Sequence, residues 1–161
     1  MKKFVFTLLL VLGCHLGYAQ SIDSLFNEFG SEKNADCVKV SSFMMSLGKM
    51  FAGHNEDTKI IGKIKSMRVL DLESCTTSVK ERFSKKVNKL SLNGYDELMR
   101  VNDEGEKVRV LMKTKKETIR ELLFVCTGKE DCTLVQINGK FTKEDIDQLV
   151  NQETGKKHGR R

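Results

Sequence analysis

The chain has 161 residues, enough for one domain and too short for two ordinary ones. Its 39% apolar residues and near balance of 28 Lys+Arg against 22 Asp+Glu exclude intrinsic disorder, and 5 Cys are too few for a disulfide-built miniprotein. The formal charge of +6 invites a nucleic-acid reading, but the charge is unevenly placed: Lys2 and Lys3 stand at the start, and Lys156, Lys157, Arg160 and Arg161 at the end. Between them, residues 80–120 carry 12 cations against 7 carboxylates, and residues 121–154 carry 3 against 7.

Residues 1–19 read as a cleaved export signal. Met1-Lys2-Lys3 is a positive start, Phe4 to Leu12 is an apolar run broken only by Thr7, and Gly17-Tyr18-Ala19 ends in small residues at −3 and −1. The run is far shorter than the ~20 apolar residues a membrane-spanning helix needs. No later run is long and apolar enough to span. Val11-Leu12-Gly13-Cys14 is a loose lipobox, so the alternative is cleavage before Cys14 and its lipidation, which would make an outer-membrane lipoprotein. The expected location is the periplasm or the medium.

Residues 20–153 are expected to form a single domain. Ile22, Leu25, Phe26 and Phe29 recur at helical spacing, with Ser21 as N-cap and Gly30 as the stop. Cys37–Val40 reads as a short strand. Ser41 or Ser42 then caps a helix carrying Phe43, Met44, Leu47, Met50 and Phe51, and residues 53–57 read as a loop. Lys63–Leu72 reads as a strand. Residues 76–91 read as a helix with Val79, Phe83, Val87 and Leu90 inward and Lys80, Lys85, Lys86 and Lys89 outward, ending at Asn93-Gly94.

The period then changes from 3.6 to 2. Tyr95–Val101, Lys107–Lys113, Ile119–Cys126 and Cys132–Ile137 are four strands, and residues 102–105, Asn-Asp-Glu-Gly, form a hairpin turn between the first two. Thr142 to Asp145 resembles a capping box for a last helix carrying Ile146, Leu149 and Val150, and residues 154–161 are a basic tail. The expected class is α+β: a mostly antiparallel sheet with a C-terminal four-strand meander, packed in two layers with about four helices.

Once the signal is removed, four Cys remain: Cys37, Cys75, Cys126 and Cys132. They allow three pairings, or free thiols. Cys126 and Cys132 flank a polar turn, so a bridge across that hairpin is expected, with Cys37 and Cys75 as the remainder. Lys107, Arg109 and Lys113 share a strand face opposite Val108, Val110 and Met112. They make a candidate anion-binding patch for a glycan, lipid headgroup or acidic partner; the plainer reading is the solvated side of a half-buried strand. The face lacks the interleaved aromatics of a single-strand nucleic-acid platform, so no nucleic acid is expected.

His15, His54 and His158 are scattered and fit no metal or triad spacing, and no phosphate loop is present. No catalytic or metal-binding residue and no cofactor is therefore assigned. Glu117 with Glu121, which would share a strand face, and Glu144, Asp145 and Asp147, crowded at a helix start, are the carboxylates a hydrolase could use; acids at a helix start also simply complement the helix dipole.

Several short runs resemble one family. They are Val40-Ser41-Ser42-Phe43-Met44, Ser66-Met67-Arg68-Val69-Leu70, Gly94-Tyr95-Asp96-Glu97-Leu98-Met99, Asp103-Glu104-Gly105-Glu106-Lys107-Val108, Glu121-Leu122-Leu123 and Ile137-Asn138-Gly139-Lys140-Phe141 with Glu144-Asp145-Ile146. Over residues 24–150 the chain resembles domain-of-unknown-function family 4252, small exported proteins of Bacteroidetes-type bacteria. The resemblance implies an envelope location and brings no catalytic residue with it. The expectation is an exported envelope protein with a non-enzymatic binding or interaction domain, its partner an envelope protein or an anionic glycan or lipid surface. The alternatives are a carboxylate-based hydrolase of envelope glycans and a lipid-anchored surface or regulatory protein.

Overall fold

The computed structural model describes residues 21–51, 56–90, 94–103 and 105–148. The expected signal with Cys14, the loop residue His54, the helix breaker Asn93, Leu149 and Val150 of the last helix, and the basic tail lie outside the described residues.

Ten elements alternate along the chain: α1 (Ile22–Phe29), β1 (Asp36–Val40), α2 (Ser42–Phe51), α3 (Glu56–Lys63), β2 (Ile64–Asp71), α4 (Thr77–Lys89), β3 (Asp96–Asp103), β4 (Glu106–Lys115), β5 (Thr118–Thr127) and β6 (Cys132–Phe141). Residues 143–148 are helical as well. The six strands form one sheet in the order β1-β2-β6-β5-β4-β3, and every pairing is antiparallel. Strands β3 to β6 are the expected meander. β1 and β2 extend it by pairing β2 with β6. The class is α+β.

Local chemistry accounts for the ends of these elements. The Ser21 hydroxyl accepts from the Ser24 amide at 3.2 Å, supplying one of the partners that helix α1 lacks at its start. Gly105, at φ +93, closes the β3–β4 hairpin in a conformation only glycine adopts without strain. Gly30 ends α1 as expected, with an ordinary right-handed φ of −68. Glycine is needed there for space: a Cβ would sit 2.5 Å from the Phe26 carbonyl oxygen and 3.3 Å from the Cys37 sulfur. Thr142 and Asp145 form the capping box, with the Thr142 amide donating to Asp145 at 2.7 Å and the Asp145 amide to the Thr142 hydroxyl at 3.3 Å.

One face of the sheet is sealed. Helices α1 and α4 lie on it, and Leu25, Phe29 and Phe83 pack over Leu70, Leu123 and Leu134, all fully buried. Phe29 meets Phe83 edge to face, with ring centroids 5.2 Å apart. A second, smaller cluster at one end of the other face joins Ile119, Leu122 and Phe141 to Ile60 of α3 and to Ile146. Among the described residues no helix is long and apolar enough to cross a membrane.

Three expectations need correction. A helix, α3, begins at Glu56 where a loop to residue 57 was expected, so five helical segments are described rather than four. Its apolar residues Ile60 and Ile61 are adjacent, which gives no helical spacing to read. Lys80 does not face solvent: it is buried, and its ammonium donates to the carbonyls of Lys129 and Glu130, at 3.0 Å each. Glu117 stands in the β4–β5 turn, and a register shift between Ile119 and Glu121 separates it from Glu121's face.

Lys80 pins the β5–β6 loop to α4 across the core. Lys80→Met keeps the stem's packing but leaves those two carbonyls without their donor. It is expected to lower stability by about 1–3 kcal/mol in urea unfolding, with α4 retained by circular dichroism.

Candidate functional site

On the sealed face, polar residues gather where the helix layer ends. Arg68 lies over the Phe26 ring at 4.2 Å, bonds Asp23 at 2.5 Å and donates through Nε to Gln136 Oε1 at 2.7 Å. The Gln136 amide donates to Glu121, and the Tyr95 hydroxyl donates to the same carboxylate oxygen at 2.6 Å. Burial, and then this bond to Glu121, push the Tyr95 hydroxyl's pKa far above its ordinary value. Tyr95 is therefore a fixed donor and no proton carrier at neutral pH. The chain from Asp23 to Tyr95 links α1 to the start of β3.

Two of the carboxylates at the start of the last helical segment, Asp145 and Glu144, are engaged locally. Burial pushes Asp145 up, but hydrogen bonds from Lys63 at 2.6 Å and from the Thr142 amide outweigh it and hold its carboxyl below the usual range. Glu144 is also held low, by its own amide and by Thr142. Both act as helix-start acids. Among the described residues no three His, Cys, Asp or Glu side chains converge as metal ligands would.

Lys107, Arg109 and Lys113 stand on the strand face that carries α1 and α4, beyond the reach of the core, and part of their charge is already answered. Arg109 bonds Glu97 at 2.8 Å, and Arg100 holds the same carboxylate through two bonds. These two guanidiniums bring the Glu97 pKa down to about 2. Lys113 sits 5.3 Å from the centroid of the Tyr95 ring. The trio is thus a partly neutralised β3–β4 flank.

The expected Cys126–Cys132 bridge is not formed. Cys126 pairs with Thr133 and Cys132 with Thr127, so the two cysteines stand on opposite faces of the sheet, and both are free thiols. Cys132 lies in the main core with Cys75, while Cys37 is exposed on edge strand β1. Burial pushes the Cys132 thiol up to about 12.

The other face of the sheet is open over much of its width. The pairings align Val38, Val69, Val135, Phe124, Val110 and Met99 into one apolar row crossing all six strands. Val40, Met67, Ile137, Leu122 and Met112 form the next row, ending at Asp96; Leu122 is buried, and Ile137, Met112 and, from the first row, Phe124 pack against the second cluster, so this row is covered at its centre. Along β6 burial alternates: Cys132, Leu134 and Gln136 are buried, while Thr133, Val135 and Ile137 are only half-buried. At the sheet edges Val38 is 54% exposed and Met99 47%. Helix α2, which runs against β2, exposes Phe43 at 71% and Met44 at 57%.

The family model "Domain of unknown function (DUF4252)" matches residues 29–149. The chain belongs to the DUF4252 family. The match takes in all six strands and helices α2 to α4, and it meets α1 only at Phe29, so the open face and all of the sealed core except Ile22, Leu25 and Phe26 lie inside the DUF4252 unit. Comparison with curated proteins and with solved structures finds no match.

The open row was missed in the sequence, although a signal for it exists. Leu122-Leu123-Phe124-Val125 and Leu134-Val135 are apolar at successive positions, which in a strand means apolar side chains on both faces. One helix layer can cover only one of them.

Thiol chemistry tests this placement. Under native conditions Cys37 is expected to alkylate first and Cys132 only on unfolding. Without reductant, both Cys126 and Cys132 should accept the alkylating agent once unfolded; a peptide two hydrogens lighter would refute the opposite-face placement. The unfolded Cys132 thiol ionises from its ordinary value of 9.0, whereas the folded one stays neutral to about 12. Its contribution to stability is therefore intact below pH 9.0 and declines between pH 9.0 and about 12.

Proposed function

We propose that this DUF4252 protein is exported to the bacterial envelope and acts there by docking rather than by catalysis. The export part rests on the N-terminal layout: two lysines, the apolar run from Phe4, and the small residues ahead of Gln20. The docking part rests on one observation, the apolar row that crosses all six strands, exposed at Val38 and Met99, half-buried at Val69, Val135 and Phe124, and buried at Val110. Contiguous apolar surface of this kind costs solubility and marks interaction sites in monomeric proteins. The polar residues of the opposite face are tied to one another, and those ties hold α1 and the start of β3 in place.

The N-terminal mass of protein isolated from the producing cell tests export. A chain starting at Gln20 is expected. Retention of Met1 would overturn export, and an acylated Cys14 would make the protein lipid-anchored.

Docking is tested by photo-crosslinking in intact cells, with the reactive residue at Val38 or Val101 on the open face and at Lys85 on α4. One and the same identified protein should attach to both open-face positions and not to Lys85. Equal attachment at all three positions, or none at any, would remove the open face as the docking surface.

A further inference from the structure

We infer that the open sheet face receives an amphipathic α-helix whose apolar stripe is flanked by Lys and Arg. This rests on the docking reading and specifies the partner's chemistry.

Charge is segregated across the sheet. On the open face the register-paired ionisable residues are Asp36, Asp71, Asp96, Asp103 and Glu106, with no Lys or Arg among them. The paired cations Lys39, Arg68, Arg100, Lys107, Arg109, Lys113 and Lys115 stand on the opposite face, with Glu97 and Glu121 among them; Lys65 of β2 is exposed at the register shift between Ile64 and Ser66. The acids are not spread through the apolar rows. Asp36 and Asp71 lie at the β1–β2 corner, and Asp96, Asp103 and Glu106 lie along the β3–β4 side. The floor is apolar and both ends are acidic. A partner complementary to it is apolar along its middle and cationic at its margins.

The shape of the floor selects a helix. Six strands about 4.8 Å apart set the outer strands about 24 Å apart. An α-helix of about 16 residues covers that span. Laid along the row from Val38 to Met99, it would place one apolar stripe on a line of side chains that already runs straight across the strands. A second copy of this chain fits less well, because the open faces of two copies would bring carboxylate rims together.

The probe is a fluorescein-labelled helical peptide of about 16 residues, built from Leu on one face and Lys on the other, beside its Leu/Glu counterpart. Binding to the purified mature chain is read by fluorescence anisotropy at low and high salt. The Leu/Lys peptide should bind at least about tenfold more tightly than the Leu/Glu peptide, with an affinity that falls as salt rises. Combining Val38→Arg with Met99→Arg, at two exposed positions the fold does not depend on, should weaken Leu/Lys binding by about tenfold or more. Asp36→Lys with Asp103→Lys should weaken it and flatten its salt dependence. Equal binding of the two peptides, or a double-arginine variant that binds like the parent, would overturn the cationic helix as partner. So would a homodimer in sedimentation that Met99→Arg dissociates. If the crosslinks from Val38 and Val101 persist when the peptide fails, the docking face stands and only the partner's chemistry is wrong; loss of both removes the docking reading as well.

Discussion

The edge-to-face contact of Phe29 with Phe83 holds the two helices of the sealed face together. Each ring is fully buried, worth about 1.5–3 kcal/mol against exposure. Their mutual geometry adds about 0.5–1.5 kcal/mol. Around this pair lie the fully buried leucines of β2, β5 and β6, and Arg68 closes the margin by covering Phe26 while reaching Asp23 and Gln136. The remaining architecture follows from this contact. Once α1 and α4 are fixed on one face, the chain has only α2, α3 and the segment at 143–148 left among its described helices. Of these, α3 and the last segment reach one end of the other face.

Much of this arrangement is readable from residue spacing. The stripe Ile22, Leu25, Phe26 and Phe29 specifies α1, the change to period two after Gly94 announces the meander, and the hairpin residues 102–105 place β3 beside β4. What spacing does not carry is pairing between strands far apart in sequence. Nothing local in Met67-Arg68-Val69 says that β2 will lie against β6, 68 residues from Arg68 to its partner Gln136. The cysteine expectation failed for a related reason. A hairpin was read correctly, but a one-residue difference in register decides whether two side chains meet or face away. Lys80 was misread because a lysine stem can be buried when its ammonium finds carbonyl partners, and those partners sit in a loop 49 residues away.

The polar residues divide by face, and the division explains why the overall charge misleads. The cations between residues 80 and 120 are absorbed by α4's outer side and by the β3–β4 flank, where Glu97 joins Arg100 to Arg109. The carboxylates at Asp36, Asp71, Asp103 and Glu106 come from four different strands and gather only when the sheet forms. A linear charge profile therefore shows a basic middle, whereas the folded sheet shows an acidic margin on the face that is open.

That margin bears on self-association through the open face. An apolar sheet face with free edges is the surface through which sheets stack and strands add. Here the edge strand β1 is only five residues long, and β3 has a register shift between Glu97 and Met99 that interrupts regular pairing. Carboxylates at both sides of the apolar rows repel a second copy of the same face. The same features leave a cationic, apolar partner unopposed. Exclusion of self and admission of such a partner are then one electrostatic arrangement, and the solubility of the isolated chain and its choice of partner should respond together when Asp36 and Asp103 change sign.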